Sequence, residues 1–192
     1  MGKFIVIEHV TLDGVMQAPG SRDEDPRGGF AHGGWANSHQ DPALQEAMGR
    51  VMSDAWSCLF GRTTYEQFAG FWPKQPANPF TQALTASPKY VASTTLHDPL
   101  PWANSTVLKG NVAAAVSLLK EREENLIVFG SGVLVRSLMP LGLIDEWLLM
   151  IHPIILLSGR RLFVESDSTP LSLRLTSSAI AEAGVVIATY AA

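Results

Sequence analysis

One segment, residues 126–138, changes within a few positions from a strand-like pattern to a helix-like one. It reads Leu-Ile-Val-Phe-Gly-Ser-Gly-Val-Leu-Val-Arg-Ser-Leu, an apolar run that two glycines interrupt. Glycine permits a tight turn and a close approach to a ligand, and the first turn of a helix offers unpaired N–H groups to an anion. The segment therefore predicts a phosphate-binding turn between a strand and a helix. A Rossmann fingerprint is excluded, because Val135 stands where its third small residue is required.

The composition indicates one globular domain, which we place at residues 1–192. Hydrophobic residues make up 46% of the chain, yet no apolar run approaches the ~20 residues of a membrane span. The N-terminal segment lacks the features of a signal peptide, and the single cysteine, Cys58, has no internal partner, so we expect a cytoplasmic protein. The net charge is −4 without a basic cluster, and we therefore expect no nucleic-acid or membrane partner.

Strand-like and helix-like segments alternate up to about residue 143, and only strands follow. The alternating runs Leu171–Thr176 and Val185–Tyr190 predict an antiparallel pair near the C-terminus. The fold class predicted from this order is α/β, a three-layer α/β/α sandwich with a mixed, mainly parallel sheet. The long irregular stretch Thr11–Asp41 is a candidate substrate lid or pocket wall, or alternatively a disordered insertion, and Ser21–Arg27 within it reads as a solvated charged tip.

Ligand-type residues follow three of the predicted strands. They are Gly61-Arg-Thr-Thr64, Ser93-Thr-Thr95 and Gly130-Ser-Gly132. In an open α/β sheet, ligands gather at the carboxyl ends of the strands, so neighbouring strands would bring these turns to one cleft. Two helix N-termini suit a pyrophosphate and Arg62 suits a further phosphate group, which together predict an NADPH site. The spacing of Thr63 and Glu66 also predicts a capping box at the helix that begins near Gly61.

These motifs, taken in order, resemble the dihydrofolate reductase superfamily. The ordered series is Leu12-Asp-Gly-Val-Met16, Phe60–Glu66, Tyr90–Thr95 and Ile127–Gly132. With Gly142–Glu146 and Pro153–Phe163, it is more closely similar to stand-alone proteins that resemble the C-terminal reductase domain of bacterial riboflavin biosynthesis enzymes, the RibD C-terminal domain. The resemblance implies a dihydrofolate-reductase-like sheet with NADPH across the strand ends. The apolar C-terminal strands either pair across a two-fold axis in a homodimer, as in relatives, or simply complete the sheet.

The resemblance also implies roles for individual residues. Gly61, Arg62, Thr63 and Thr64 would bind the adenosine side and the pyrophosphate, and Ser93 and Thr94 the 2′-phosphate region. Gly130, Ser131, Gly132 and Val133 would hold the pyrophosphate. Dihydrofolate reductases join two glycines at this turn by a cis peptide, so we predict a cis bond between Gly130 and Ser131.

Hydride transfer needs a proton source near the acceptor, and two carboxylates are candidates. Asp13 lies in the loop after the first strand, which in this family closes over the nicotinamide; its alternative is a turn aspartate. Glu46 lies where dihydrofolate reductases carry a pterin-binding carboxylate, beside Gln45, which cannot supply that charge; its alternative is a solvent-facing helix residue. Trp35, Trp72 and Trp102 either stack on a flat substrate or pack inside the protein. The histidines show no metal-site spacing, and we expect no metal.

The sequence therefore predicts an NADPH-dependent oxidoreductase that transfers a hydride to a small heterocyclic or carbonyl-like substrate. By resemblance, the reaction would be that of a 5-amino-6-(5-phosphoribosylamino)uracil reductase or of a dihydrofolate reductase, although Gln45 disfavours dihydrofolate itself. The alternative is a dimeric module or sensor that binds the nucleotide without turnover.

Overall fold

The computed structural model describes residues 2–122, 124–165 and 169–192. Eight strands and five α-helices are present in these ranges. The strands are β1 (Phe4–Thr11), β2 (Trp56–Gly61), β3 (Lys89–Ala92), β4 (Ser105–Leu108), β5 (Asn125–Phe129), β6 (Glu146–His152), β7 (Arg174–Ile180) and β8 (Val186–Ala191). The helices are α1 (Pro42–Val51), α2 (Arg62–Phe71), α3 (Pro79–Ala86), α4 (Val112–Lys120) and α5 (Gly132–Leu138).

The strands form one sheet in the order β4-β3-β2-β5-β1-β6-β8-β7. The pairs β3–β4, β2–β3 and β2–β5 are parallel, whereas β6–β8 and β7–β8 are antiparallel. The predicted α/β sandwich with a mainly parallel sheet and antiparallel C-terminal strands is thereby confirmed. The chain divides into two compact units: unit 1 holds residues up to Ile5 and Asp54–Leu143, and unit 2 holds Val6–Ser53 and Ile144–Ala192.

Unit 1 contains the strand–helix alternation read from the sequence. Its strands β2, β3 and β5 are short apolar runs because both faces of a parallel sheet are covered. Their central side chains Cys58, Phe60, Val91 and Ile127 are all 0% exposed. Burial raises the pKa of the Cys58 thiol to about 12, although Lys89 and a hydrogen bond from Ser87 act against it, so the thiol stays protonated and inert.

Unit 2 contains the antiparallel strands and most of β1. The register of β6 with β8 pairs Trp147 with Tyr190, and β8 continues the pairing to β7. The predicted strand at Leu171–Thr176 begins later than expected, at Arg174, and every residue of β7 is exposed. Leu175 and Ile180 on this edge strand are 52% and 78% exposed.

The N-termini of α1, α2 and α3 are capped in different ways. Asp41 caps α1, because its carboxylate accepts a hydrogen bond from the Ala43 N–H at 2.9 Å. The capping box predicted from Thr63 and Glu66 is wrong: α2 begins at Arg62, and its N-cap residue is Gly61, which provides no side-chain cap. Helix α3 begins at Pro79, and Asn78 and Thr81 form a capping box at its start.

The stretch between Thr11 and Asp41 is an ordered loop, so the alternative of a disordered insertion does not hold. The Gln17 amide donates to the carbonyls of Asp25 and Arg27 at 3.0 and 2.9 Å, and its oxygen accepts from the Arg160 N–H at 2.9 Å. The Trp35 indole N–H donates to the Gln17 carbonyl at 2.7 Å. Asp25 is buried and paired with Arg27, which corrects the view of this segment as a wholly solvated tip.

Candidate functional site

The three ligand-type turns of unit 1 come together at one edge of the sheet. Strand β2 lies between β3 and β5, with Gly61 opposite Ala92 and Leu59 opposite Val128. The strands run in the same direction, so the residues after Gly61, Ala92 and Phe129 all leave at the carboxyl edge. The neighbourhood predicted for Gly61, Ser93 and Gly130 is therefore present in the structure.

Two of these turns are locked together by hydrogen bonds across nearly seventy residues of chain. The Gly61 N–H donates to Ser131 Oγ at 3.0 Å, and the Ser131 N–H donates to Thr64 Oγ1 at 3.0 Å. Ser131 Oγ also donates to the Phe129 carbonyl at 3.2 Å. These reciprocal bonds fix the start of α2 against the start of α5. We call Gly61, Thr64 and Ser131 the turn lock.

The backbone at Gly130–Ser131 differs from the prediction. The two residues have φ values of +57° and +56°, and the cis peptide among the described residues is Asp98–Pro99, so a cis bond between Gly130 and Ser131 is wrong. Two successive left-handed residues reverse the chain here instead. Gly130 suits this conformation, and a Cβ on it would lie 3.2 Å from Thr64 Cγ2. Ser131 adopts it at a conformational cost, and its three hydrogen bonds hold it in this position.

The hydrogen bonds of the turn lock determine which backbone N–H groups of this turn could still bind a ligand. The N–H groups of Gly61 and Ser131 are spent inside the lock, which the sequence did not reveal. The first turn of α5 begins at Gly132 and Val133, and the first N–H bonded within the helix is that of Val135, to the Ser131 carbonyl at 3.0 Å. Val133 is 68% exposed beside these N–H groups. The pyrophosphate role predicted for Gly130–Val133 stays a prediction, and within this turn the backbone N–H groups outside the turn lock are those of Gly132 and Val133.

A second cluster joins Arg62 to the turn after β3. Arg62 Nε donates to Glu66 Oε1 at 3.0 Å, and its Nη1 donates to Thr95 Oγ1 at 2.8 Å. Ser93 Oγ accepts from the N–H groups of Thr95 and Leu96 at 3.2 and 3.0 Å, which closes the turn. Thr95, which the sequence reading left out in favour of Thr94, is thus the residue that connects the two turns. Thr94 itself is exposed.

The guanidinium of Arg62 keeps free donor capacity at this edge. Within the described chain its Nη2 has no hydrogen-bond partner, and the side chain is 51% exposed. Glu66 holds the fork in place from one side and also places a negative charge beside it. A planar, permanently charged fork held in this way is suited to an anion such as a phosphate group.

Asp13 lies in unit 2 and is fully engaged there. Its carboxylate accepts hydrogen bonds from Thr11 Oγ1 at 2.6 Å and from the N–H groups of Leu156 and Leu157 at 3.2 and 3.0 Å. Arg161 lies 3.4 Å away. Burial alone would raise the pKa of Asp13, but these hydrogen bonds outweigh it and lower the pKa to about 2. The carboxylate is therefore ionised at neutral pH, and the catalytic role of Asp13 stays a prediction.

Glu46 lies on α1, also in unit 2, and its side chain is 72% exposed. It forms an (i, i+4) ion pair with Arg50 at 2.8 Å. This arrangement is that of a solvent-facing helix residue. Trp35 and Trp102 are packed inside the protein with 6% and 3% exposure, so the packing alternative holds for both.

Two further features bear on the class of site. Among the described residues, no group of three or more His, Cys, Asp or Glu side chains is placed to hold a metal ion. No helix in the described part of the chain has the length and apolar character needed to cross a membrane.

The fold and the strand-edge turns place this chain in the dihydrofolate-reductase-like class of α/β proteins. Dihydrofolate reductase from Enterococcus faecalis, solved with NADP(H) and the ligand RAB-propyl, superposes with a TM-score of 0.61 at 14% identity, covering 99% of this chain and 96% of that one. The model of the RibD C-terminal domain matches residues 3–187. The chain therefore belongs to the RibD C-terminal domain family.

Individual relatives agree with this placement. A Shewanella sp. PV-4 protein named for riboflavin biosynthesis superposes with a TM-score of 0.67 at 21% identity, covering 100% of this chain and 98% of that one. A pyrimidine reductase-like protein from Corynebacterium diphtheriae gives 0.67 at 14% identity, with 99% and 91% covered. The uncharacterized protein YyaP of Bacillus subtilis is 27% identical over 188 residues, covering 94% of this chain and 90% of that protein.

Proposed function

We propose that this protein is an NADPH-dependent oxidoreductase that transfers a hydride to a small heterocyclic or carbonyl-like substrate related to pyrimidines or pterins. Membership of the RibD C-terminal domain family supports a reductase of the pyrimidine or folate type. The observation that carries the proposal is the joined set of turns at the carboxyl edge of unit 1, where Arg62, Thr95 and the turn lock meet.

The residues present at this edge fit NADPH. The backbone N–H groups of Gly132 and Val133 would hold the pyrophosphate, with Thr64 and Ser131 fixing the turn. The free Nη2 of Arg62, supported by Thr95 and Ser93, would hold the 2′-phosphate. When bound, the nicotinamide supplies the hydride. The chain's own contribution at this edge is to bind and orient the cofactor.

Titration with NADPH and NADH tests the cofactor, and α1 offers a matched control. Arg62→Ala removes a charge-assisted contact worth about 1.5–3 kcal/mol, so NADPH affinity should fall by about 10- to 100-fold while NADH affinity changes little. Arg50→Ala removes an arginine from the same (i, i+4) pairing with a glutamate, in unit 2, and should leave both affinities unchanged. Failure of the wild type to bind either nucleotide would overturn the proposal.

A second candidate is a module that binds the nucleotide without turnover. It is favoured by the state of the two predicted proton donors, because Asp13 is held ionised and Glu46 faces solvent. Monitoring NADPH oxidation at 340 nm with pyrimidine, pterin and quinone panels separates the two. Oxidation dependent on one acceptor supports the reductase, and binding without oxidation by any panel supports the module.

We further propose that the protein is a homodimer that pairs through its C-terminal edge strand. All seven residues of β7 are exposed, and Leu175 and Ile180 present apolar side chains along it. An exposed edge strand of this kind is a ready partner for a second copy. Light scattering after size exclusion should give twice the chain mass, and Ile180→Lys should reduce it to one. A monomeric wild type would contradict this.

A further inference from the structure

Three aromatic rings surround a fully buried histidine in unit 2. His152, at the end of β6, is 0% exposed. The Trp35 and His39 rings meet it edge-on with centroids 5.1 and 5.7 Å away, and the His9 ring of β1 lies 5.2 Å away. We call His9, Trp35, His39 and His152 the histidine cluster. The sequence could not show it, because His9 and His152 are 143 residues apart.

The two central histidines share one hydrogen bond. His9 Nδ1 lies 2.9 Å from His152 Nε2, so one of these nitrogens carries a hydrogen and the other accepts it. Burial lowers the pKa of His9 to about 4, and burial together with the nearby His9 and His39 lowers that of His152 to about 4. Both rings are therefore neutral at physiological pH, and each carries one N–H.

The other two ring nitrogens decide which tautomer is present. His152 Nδ1 is buried and has no partner, whereas His9 is only partly buried and its Nε2 is not among the buried unpartnered atoms of the described chain. If His9 donated within the pair, His152 would have to carry its hydrogen on Nδ1, where a buried N–H would point at nothing. If His152 donates, only a lone pair is left unmet there. The second arrangement is favoured, because orphaned buried N–H groups are the rarer and costlier defect.

This tautomer determines that His9 presents a hydrogen-bond donor on the side of its ring that faces away from His152. With His152 Nε2–H donating to His9 Nδ1, the hydrogen of His9 must sit on Nε2, at the more accessible end of the ring. His9 is two residues before the end of β1 at Thr11, near the carboxyl end of that strand. Ligands in open α/β sheets gather at the carboxyl ends of the strands. A neutral imidazole that donates from such a position binds and polarises a carbonyl or ring nitrogen without requiring a charge on the ligand.

We propose that His9 is a substrate-binding residue that donates its Nε2–H to an acceptor atom of an uncharged oxo-heterocycle, and that His152 is the positioning residue that fixes this tautomer. The inference rests on the proposed function for the class of substrate. The tautomer itself does not depend on it.

The first test uses the wild-type protein without ligand. Long-range proton–nitrogen correlation spectra of ¹⁵N-histidine-labelled protein at pH 7.5 should show both His9 and His152 protonated on Nε2. In His152→Phe the fixed partner is lost, and His9 should become a mixture of tautomers. A wild-type His9 protonated on Nδ1 would overturn the proposal whether or not the protein is a reductase.

The second test uses lumazine, a fluorescent uncharged dioxopteridine, added to NADPH-saturated protein. Binding should shift the His9 Nε2 resonance. It should weaken about tenfold in His9→Leu and much less in His9→Gln, whose amide restores a donor. NADPH affinity should be the same in the wild type, His9→Leu and His9→Gln. A wild type that does not bind NADPH would contradict the proposed function and not the tautomer of His9. Equal lumazine affinity in His9→Leu and wild type, or no binding at millimolar lumazine, would overturn the role of His9.

Discussion

Removing the hydroxyl of Ser131 tests how firmly the two helix starts are joined. In Ser131→Ala the Gly61 N–H loses its acceptor and the Phe129 carbonyl loses a donor, both in a partly buried setting. An unsatisfied buried donor costs about 1–3 kcal/mol, so we expect the free energy of unfolding to fall by about 2 kcal/mol. Alanine keeps the left-handed backbone at φ +56°, so the substitution does not lower the conformational cost of this residue.

Ser131→Gly provides the matched comparison for this value. It removes the same hydroxyl but suits the left-handed conformation, which costs a non-glycine residue about 1 kcal/mol. The glycine variant should therefore be more stable than the alanine variant by about that amount. Ser137→Ala, which removes a hydroxyl bonded only to the carbonyl one turn earlier at 2.7 Å, serves as the control. Urea unfolding measures all three. The reasoning is refuted if Ser131→Ala unfolds at the wild-type urea concentration, or if glycine is worse than alanine.

Charged and titratable groups allow three more predictions. Glu66→Gln removes a carboxylate beside Arg62 and should tighten NADPH binding about fivefold, as about 1 kcal/mol of repulsion is lost; calorimetry would show no change if the phosphate binds elsewhere. Asp13→Asn should cost about 1 kcal/mol at pH 7 after allowance for solvent screening, and in acid denaturation series the difference from wild type should vanish as the pH falls from 3.8 to 2, the pKa of Asp13 being lowered to about 2. The pKa values of His9 and His152 are lowered from 6.5 to about 4, so the unfolded state binds more protons between these pH values. As the pH drops from 6.5 to 4, the free energy of unfolding should therefore decrease by about 3 kcal/mol for the first proton, although the raised pKa values of Glu8 and Glu24 act in the opposite sense. The same pH dependence in His152→Phe as in the wild type would contradict the assignment.

The candidate cofactor edge was predictable because its signals are local. A glycine or hydroxyl residue directly after an apolar run marks a strand end, and parallel strands place such ends together. The partners within that edge were not predictable from spacing. Glu66 lies at capping-box distance from Thr63, yet it pairs with Arg62, and the N-cap residue of α2 is Gly61, which has no side chain.

The contacts of His9 and Asp13 in unit 2 were not predictable from the sequence. The histidine pair joins β1 to β6, and no local pattern in either strand indicates the partner. Asp13 reads locally as a turn aspartate, which it is, but it also accepts hydrogen bonds from the N–H groups of Leu156 and Leu157, which are distant in the sequence. Contacts of this range depend on the topology of the sheet, and single-sequence periodicity does not encode them.

The division of the chain into units bears on how the protein is made. The chain leaves unit 1 after Ile5, returns to it at Asp54 and completes it at Leu143, whereas unit 2 lacks β6, β7 and β8 until the last 49 residues, Ile144–Ala192, have been added. On a ribosome, the parallel strands of unit 1 are therefore all available while β1 still lacks its later neighbour. Vectorial synthesis favours early assembly of the turn lock in unit 1, and the histidine cluster forms later because its His152 emerges after unit 1 is complete.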